Sequence, residues 1–368
     1  MADDNDGWKP MHRYAYLGNF KEVEALLSKT SGNTKDENGL TALHVAAYSG
    51  HRHIVGLLLK HCDANAQDDN GRTALHWAAF MGHGAVIRQL LEVKDINVNI
   101  QARNGLTPLH MGVASEQKDD PQKQFDVVKE LVGYNGIDLN IPDENDFRPL
   151  HWAALRGYDK IAKLLAEADT RVRDKNGLTP LHSAATNGHS NFIQWLVQER
   201  CADVNALDGN ERTAMYWAAY NGYESCVDLL INSNITIPDN KGLTPLHVSA
   251  TNNHKGVVKK LLDRLQRTGH KDRVNAEDVN KRTALHWSAY MGHHDIVDLL
   301  VQYQANVNAQ DKDGYTALHW AAMAGEVKVV ELLLQKGSDP STEDNRGRTA
   351  ERLADSLSNT DVVACFRR

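Results

Sequence analysis

Two apolar patterns alternate along the whole chain. The first is a run such as Ile54-Val55-Gly56-Leu57-Leu58-Leu59 or Val329-Val330-Glu331-Leu332-Leu333-Leu334, with apolar residues at helical spacing. The second lies a short way ahead of each run. It reads Thr-Ala/Pro-Leu-His followed by small residues, as in Thr41-Ala42-Leu43-His44-Val45-Ala46-Ala47. Thr stands where a helix should begin and can cap its orphan amides. Pro108, Pro149, Pro180 and Pro245 follow at the first helical position, where a missing N–H costs nothing. Gly50, Gly82, Gly188, Gly222, Gly292 and Gly325 stand where that short helix should end. Ahead of each Thr lies a tip such as Asn38-Gly39, Asn70-Gly71, Asn104-Gly105, Asn176-Gly177 or Asp313-Gly314, which predicts a tight two-residue turn with positive φ. The predicted unit is tip, short helix, turn, longer helix.

The His-bearing word stands at 41–44, 73–76, 107–110, 179–182, 244–247, 283–286 and 316–319, with weaker copies at 9–12, 148–151, 213–216 and 349–352. The steps between copies run from 31 to 41 residues, a period of ~33 that marks a stack of units none of which buries its apolar face alone. This wording at this period resembles the ankyrin repeat, and the resemblance covers essentially the whole chain. It implies an all-α fold with short β-hairpin tips, an ankyrin-repeat α-solenoid, elongated and curved. One array over 1–368 is expected, with repeats at 3–35, 36–67, 68–101, 102–142, 143–173, 174–207, 208–238, 239–277, 278–310, 311–343 and 344–368.

Some repeats depart from the frame. Repeat four carries seven extra residues within 115–123, polar and interrupted by Pro121, which read as a surface loop. Repeat five has Asp146 in place of the tip Gly and Arg148 in place of Thr, so its tip and cap should be weaker. Repeat seven has Glu211 for Gly and Tyr216 for His. Repeat eight carries a helix or loop insertion at about 264–273. The last repeat puts Glu351-Arg352 in place of Leu-His, which suits a capping unit with a wet outer side.

Net charge is −7 with a pI of about 6.2, which argues against a general nucleic-acid binder. Within that acidic chain one stretch, 255–273, is basic: Lys255, Lys259, Lys260, Arg264, Arg267, Lys271 and Arg273. Its plain reading is a solvated helix whose cations lie over its own apolar face; its functional reading is a grip for RNA or for an acidic or phosphorylated partner. Four scattered cysteines, with no Cys-x-x-Cys pair, suit a reducing compartment. The acidic N-terminus lacks a signal-peptide pattern and the apolar runs are too short for a bilayer, so a cytoplasmic or nucleocytoplasmic protein is expected.

Eighteen histidines invite a metal or catalytic reading. Nine of them, at 12, 44, 76, 110, 151, 182, 247, 286 and 319, occupy the repeated word. The resemblance implies that each ring bonds its Thr and the backbone and ties one repeat to the next. His51, His83, His189, His254 and His293 fill a second repeated slot and read as structural too. His51-x-His53 and His293-His294 lack a third ligand at a zinc spacing. No phosphate-cradling glycine loop, no Gly-x-Ser-x-Gly and no His-Glu-x-x-His occurs. No catalytic residue, cofactor or metal is assigned.

Function is therefore expected on the surface, as a non-catalytic scaffold or adaptor. The ankyrin resemblance implies a partner along a concave face of tips and first helices, from about repeat three to repeat nine. Tip residues vary over the constant frame, among them Arg72, Phe147, Arg212, Arg282 and Tyr315. The slots three and four places after the framework His carry Tyr48, Phe80, Met81, Leu155, Tyr220, Tyr290, Met291 and Met323, residue types favoured at binding hot spots. Trp77, Trp152, Trp217, Trp287 and Trp320 recur directly after the framework position and read as packing between helices. The HWAA wording is also similar to that of ankyrin regulatory subunits of a protein phosphatase, which implies a phosphatase or signalling complex as partner and a monomeric array. Two further readings stand beside the scaffold. Asn65 and Asn308 match the spacing of ankyrin asparagines hydroxylated by an asparaginyl hydroxylase, so the array could be an enzyme substrate or a pathogen-type effector; Asn99 and Asn205 share that slot. The basic stretch gives the third, binding of nucleic acid or an acidic partner.

Overall fold

A computed structural model of the chain describes residues 8–115 and 120–367, and it divides into two compact units, Met1–Lys175 and Asn176–Arg368. Each unit is built of helix pairs. In the first they are Pro10–Leu17 with Phe20–Leu27, Ala42–Ser49 with Arg52–Leu58, Ala74–Phe80 with Gly84–Leu91, Pro108–Ala114 with Pro121–Val132, and Pro149–Arg156 with Asp159–Leu164. In the second they are Pro180–Thr186 with Ser190–Gln194, Ala214–Asn221 with Glu224–Leu230, Pro245–Thr251 with Lys255–Arg267, Ala284–Tyr290 with His294–Gln302, Ala317–Ala324 with Val327–Gln335, and Ala350–Ser356 with Thr360–Phe366. Within each unit, first helices pack on first helices of the next repeat and second helices on second. The paired alanines at these contacts (Ala46-Ala47, Ala78-Ala79, Ala218-Ala219, Ala321-Ala322) are fully buried, as close approach of two helices requires. Leu43, Leu58, Leu75, Leu90, Leu109 and Leu150 fill the core of the first unit; Leu181, Leu285, Leu300, Leu318 and Leu333 do so in the second.

The tips are turns. Among the described residues the only strand-type pairing outside the helices is the isolated bridge Glu343–Thr349. The predicted two-residue turn with positive φ at Asn and Gly is also corrected. At Asp36–Leu40, the N–H of Gly39 donates to the carbonyl of Asp36 (3.2 Å) and the N–H of Asp36 to the carbonyl of Leu40 (2.9 Å), and only Gly39 is left-handed, φ 72°. This is a four-residue turn closed by one left-handed residue. Asp146 (φ 60°), Glu211 (φ 64°) and Lys281 (φ 58°) occupy the same place with side chains, at a cost of about 1 kcal/mol each.

The histidine frame is geometric fact. The ring Nδ1 of His44 accepts the N–H of Thr41 (3.0 Å) and lies 2.8 Å from its hydroxyl, while Nε2 reaches the carbonyl of Arg72 in the next repeat at 3.0 Å. Because Nδ1 accepts an amide proton, Nε2 must carry the hydrogen that the carbonyl receives. The same set recurs at His76, His110, His247, His286 and His319. Burial holds these rings below the usual imidazole range, with His76 and His110 at about 4, against the opposing pull of the carbonyls they bond. His12 keeps the link to the Leu40 carbonyl (2.8 Å), but with Lys9 at the Thr position its Nδ1 has no partner. The second histidine slot is structural as well. His51, His83, His254 and His293 donate from Nε2 to carbonyls of Tyr16, Tyr48, Tyr220 and Thr251, at the end of the previous repeat's first helix. The ring of His254 lies so close under Gly222 (φ 77°) that a Cβ there would stand 2.4 Å from it.

Of the two insertions, that of repeat four is corrected and that of repeat eight takes a definite form. Pro121-Gln122-Lys123, assigned to the loop of repeat four, form the first turn of Pro121–Val132, because Pro fits the first helical position and Asp120 caps it by accepting the N–H of Gln122 (3.2 Å). Residues 116–119 of that loop lie outside the described residues. In repeat eight the insertion first lengthens the second helix to Arg267 and then forms a 3-10 turn, Lys271–Asn275. Arg148, in place of Thr, still gives its N–H to His151 Nδ1 (3.2 Å), and its guanidinium bonds the carbonyls of Asp146 and Arg173.

The tips and first helices as a candidate interaction face

One side chain that the sequence reading passed over organises this face. Nine tips begin with a buried Asp, namely Asp36, Asp68, Asp143, Asp174, Asp208, Asp239, Asp278, Asp311 and Asp344, and the tip of repeat four begins with Ala102. In Asp68, Oδ1 accepts the N–H groups of Asn70 (2.9 Å) and Arg72 (2.8 Å), and Oδ2 accepts the indole N–H of Trp77 at 3.2 Å. The carboxylate thus shapes the tip and aims the tryptophan. Identical indole bonds join Trp152 to Asp143, Trp217 to Asp208, Trp287 to Asp278 and Trp320 to Asp311, at 3.0–3.3 Å. These tryptophans are half-buried, held by their own repeat's tip as well as by neighbouring helices.

The variable tip residues follow the tryptophan. Arg72 lies over Trp77 (5.0 Å from guanidinium carbon to ring centroid), Arg212 over Trp217 (4.8 Å) and Arg282 over Trp287 (4.9 Å). Phe147 packs on Trp152 (6.0 Å) and Tyr315 on Trp320 (6.1 Å). Where the tryptophan slot holds Val45, Met111, Ser183 or Val248, the tip residue is Leu40, Leu106, Leu178 or Leu243. A flat group covers a flat ring, and the tip variation is in part a packing rule.

Beyond the covered tryptophans lies an exposed rim. Tyr48, Phe80, Tyr220, Tyr290 and Met291 are exposed, between 38% and 46% of each residue's surface. Met81, Leu155 and Met323 are half-buried. Tyr48 meets Trp77 edge-on at 5.6 Å, and Tyr290 meets Trp320 at 5.2 Å. In the first unit, Trp8, Tyr16, Leu40, Val45, Tyr48 and Trp77 surround an open apolar pocket of about 330 Å³, with His44 at its floor.

The other expected sites lie elsewhere. Asn65 donates its amide to the Asp95 carbonyl and accepts the N–H of Asn97, each at 2.8 Å, so it bridges two repeats; Asn99 does the same between Gly136 and Asp138. Asn308 accepts the N–H of Asp339 at 2.9 Å. In the basic stretch, Lys255 pairs with Asp295 (3.0 Å) and Lys260 with Asp228 (2.8 Å), while Arg267 turns its Nε to the Asp263 carbonyl and Arg273 stands 3.9 Å from Asp272. Lys259 and Lys271 are exposed and Arg264 is half-buried. Among the described residues no group of three or more His, Cys, Asp or Glu is placed to hold a metal, and no helix is long and apolar enough to cross a membrane.

Stacked helix pairs with turn tips, a buried histidine tie between repeats and an exposed aromatic rim define a repeat scaffold. The family profile described as ankyrin repeats (3 copies) matches residues 1–68, 50–120, 120–208, 200–272 and 263–344, and the chain belongs to the ankyrin-repeat family. Ankyrin repeats are generally protein–protein interaction modules. Human inversin is 33% identical over 206 residues, 55% of this chain and 19% of inversin. The zebrafish (Danio rerio) neurogenic locus notch homolog protein 1 is 29% identical over 224 residues, 57% of this chain and 8% of that protein. The chain thus spans less than a fifth of the length of either relative. The solved ankyrin repeat domain of Bcl-3 superposes with a TM-score of 0.53 at 26% identity, covering 60% of this chain and 99% of that one.

Proposed function

We propose that the chain is a non-catalytic scaffold or adaptor, cytoplasmic or nuclear, that binds partner proteins with its tips and first helices. The observation that carries this reading is the exposed rim of Tyr48, Phe80, Tyr220, Tyr290 and Met291 beside a buried, repeated frame. Aromatic side chains are ordered at little entropic cost, and both they and Met are enriched at protein interfaces. Arg72, Phe147, Arg212, Arg282, Tyr315, Met81, Leu155 and Met323 complete the proposed contact set. A phosphatase or signalling complex remains the partner class that the repeat wording suggests.

The test is affinity capture from lysate with two variants, Tyr48→Ala/Phe80→Ala in the first unit and Tyr220→Ala/Tyr290→Ala/Met291→Ala in the second. Folding is checked by circular dichroism. The reading expects a captured partner to be lost with at least one variant whose helix content is unchanged. Identical partner sets from wild type and both variants would remove the rim from the contact.

A further inference from the structure

The tip side chains that reach the surface of the second unit are mostly cationic, in a chain that is acidic overall. Setting aside the buried Asp that starts each tip, the five tips from 208 to 348 hold Arg212, Lys241, Lys281, Arg282, Lys312, Arg346 and Arg348, against Glu211 and Asp313. That is seven cations to two acids in a chain of net charge −7. Lys241, Lys281, Lys312 and Arg346 are exposed. With the five buried Asp counted, these tips balance at seven cations and seven acids, so the cations act at short range on a ligand seated at the surface, where the buried carboxylates are out of reach.

Two of these cations are also fixed in place. The N–H of Arg212 is bonded to Asp208 Oδ1 (3.0 Å), its carbonyl receives His182 Nε2 (3.0 Å), and its guanidinium lies over Trp217 and Tyr216. Arg282 repeats the arrangement with Asp278, His247 and Trp287, and its guanidinium reaches over Trp320 as well, at 5.5 Å. Stacking orients the guanidinium and leaves its edge for hydrogen bonds. Those bonds are not made within the protein: the Nε of Arg212 is buried with no partner, and Arg282 comes no nearer to a carboxylate than 3.8 Å, beyond a hydrogen bond. Arg148 also has an unpartnered buried Nε but bonds its Nη1 to two carbonyls, and Arg348 bonds Asp344 and Tyr315 through Nε and Nη2. Arginines that are ordered but unfilled match a planar anion with two oxygens.

We infer that the tip face of the second unit, centred on Arg212 and Arg282, binds a carboxylate-rich segment of a partner protein. The segment's Asp or Glu side chains take the terminal Nη groups of the two guanidiniums, whose Nε atoms face inward, and its apolar residues lie on Tyr220, Tyr290 and exposed Val279. Carboxylate is favoured over nucleic acid because bases stack on open aromatic faces, and the tryptophans beside the two arginines are covered. Arg212 covers Trp217, and Arg282 and Tyr290 close on Trp320. This inference rests on the scaffold reading and names the chemistry of its partner.

The test uses the full chain and fluorescence anisotropy with a labelled Glu/Leu decapeptide. A Gln/Leu decapeptide and a uridine decanucleotide serve as rivals. The perturbing variant is Arg212→Tyr/Arg282→Tyr, since Tyr315 and Phe147 show that the slot accepts a ring over its tryptophan; Arg212→Lys/Arg282→Lys keeps the charge and loses the fork. The inference expects the acidic peptide to bind, to weaken as salt rises, and to lose about tenfold or more in the Tyr variant with partial loss in the Lys variant. Lys259→Gln/Arg264→Gln, on the second-helix face, should bind as wild type does. Equal binding of the Gln/Leu peptide, unchanged affinity in the Tyr variant, or tighter Arg-dependent binding of the oligonucleotide would each overturn it. If the acidic peptide fails while lysate partners still depend on Tyr220 and Tyr290, the carboxylate chemistry is wrong and the scaffold reading stands.

Discussion

The tips of the two units share one frame and present opposite surfaces. In the first unit, the tips beginning at Asp36, Asp68, Ala102 and Asp143 expose Glu37, Asp69, Glu144 and Asp146 against Arg72 and Arg103, and an apolar pocket opens beside Trp77. In the second, seven cations face two acids over the same turn geometry. Beneath both lie the same bonds: Asp to two amides and an indole, His to a carbonyl of the next repeat. Stability thus resides in residues that do not vary, and the surface is set by the residues between them. Variants in the frame should damage both units alike, whereas variants on the exposed tip positions should alter binding and leave folding intact.

The largest expected effect is that of acid, which should erase the similarity in both units together. The buried histidines have folded pKa values below the unfolded 6.5, so the unfolded chain takes up protons first as pH falls. Their contribution is complete above pH 6.5 and is lost as pH falls below it, down to about 4 for His76 and His110. His76 and His110 alone are linked to about 3 kcal/mol each over that window. Urea midpoints measured from pH 7.5 to 4.5 should fall steadily below 6.5; a flat profile would contradict the neutral-histidine frame.

Next in size is the frame carboxylate. Asp278→Ala leaves the N–H groups of Asn280 and Arg282 and the indole of Trp287 without their acceptor, a loss of roughly 3–5 kcal/mol. Asp68→Ala should cost the same in the first unit. Chemical denaturation with hydrogen exchange at the tip amides would read both, and a cost confined to one unit would break the equivalence.

Repeat seven offers a finer probe. Asp239 has Val248 where its neighbours have tryptophan, and its Oδ2 instead receives the hydroxyl of Tyr216 from the preceding repeat at 3.2 Å. Burial and the Asp239 carboxylate both raise the Tyr216 pKa, so the hydroxyl stays protonated as a donor. Tyr216→Phe should cost about 1–2 kcal/mol by orphaning that oxygen, and unlike the histidine links this one should not weaken between pH 6.5 and 4. Smallest of all, Lys241→Glu/Lys281→Glu should move stability by less than ~0.5 kcal/mol while weakening any acidic ligand of the second unit. Thermal melts alongside peptide anisotropy would separate the two effects.

Most of the frame could be read from the chain because it repeats. Thr, Pro, His, Gly and the paired alanines each hold a local job at a fixed place, and each was legible from spacing alone. The buried Asp repeats just as faithfully but was overshadowed by the Asn-Gly beside it, which suggested a two-residue turn. Its nine-residue spacing to Trp was the available signal. The pairing of tip residue with tryptophan, Arg or ring over Trp and Leu elsewhere, was also present in the sequence. It was hidden because variation at an exposed slot resembles variation for binding. Pro121 misled because a proline that opens a helix and one that interrupts a loop look alike until the cap at Asp120 is seen. The state of Arg212 and Arg282, stacked and unfilled, depends on side-chain paths that no spacing encodes.

Tyr216 also bears on how such an array can be cut and rejoined. Because its hydroxyl serves the next tip, the junction of repeats seven and eight is matched to that pair, whereas the histidine ties on either side reach a backbone carbonyl that every tip offers. Excising 208–238 alone would join the His182 repeat to one that begins with Asp239. The histidine could still find the Leu243 carbonyl, but the carboxylate would lose its hydroxyl donor, and faster exchange at the amides of Lys241 and Leu243 would mark the seam.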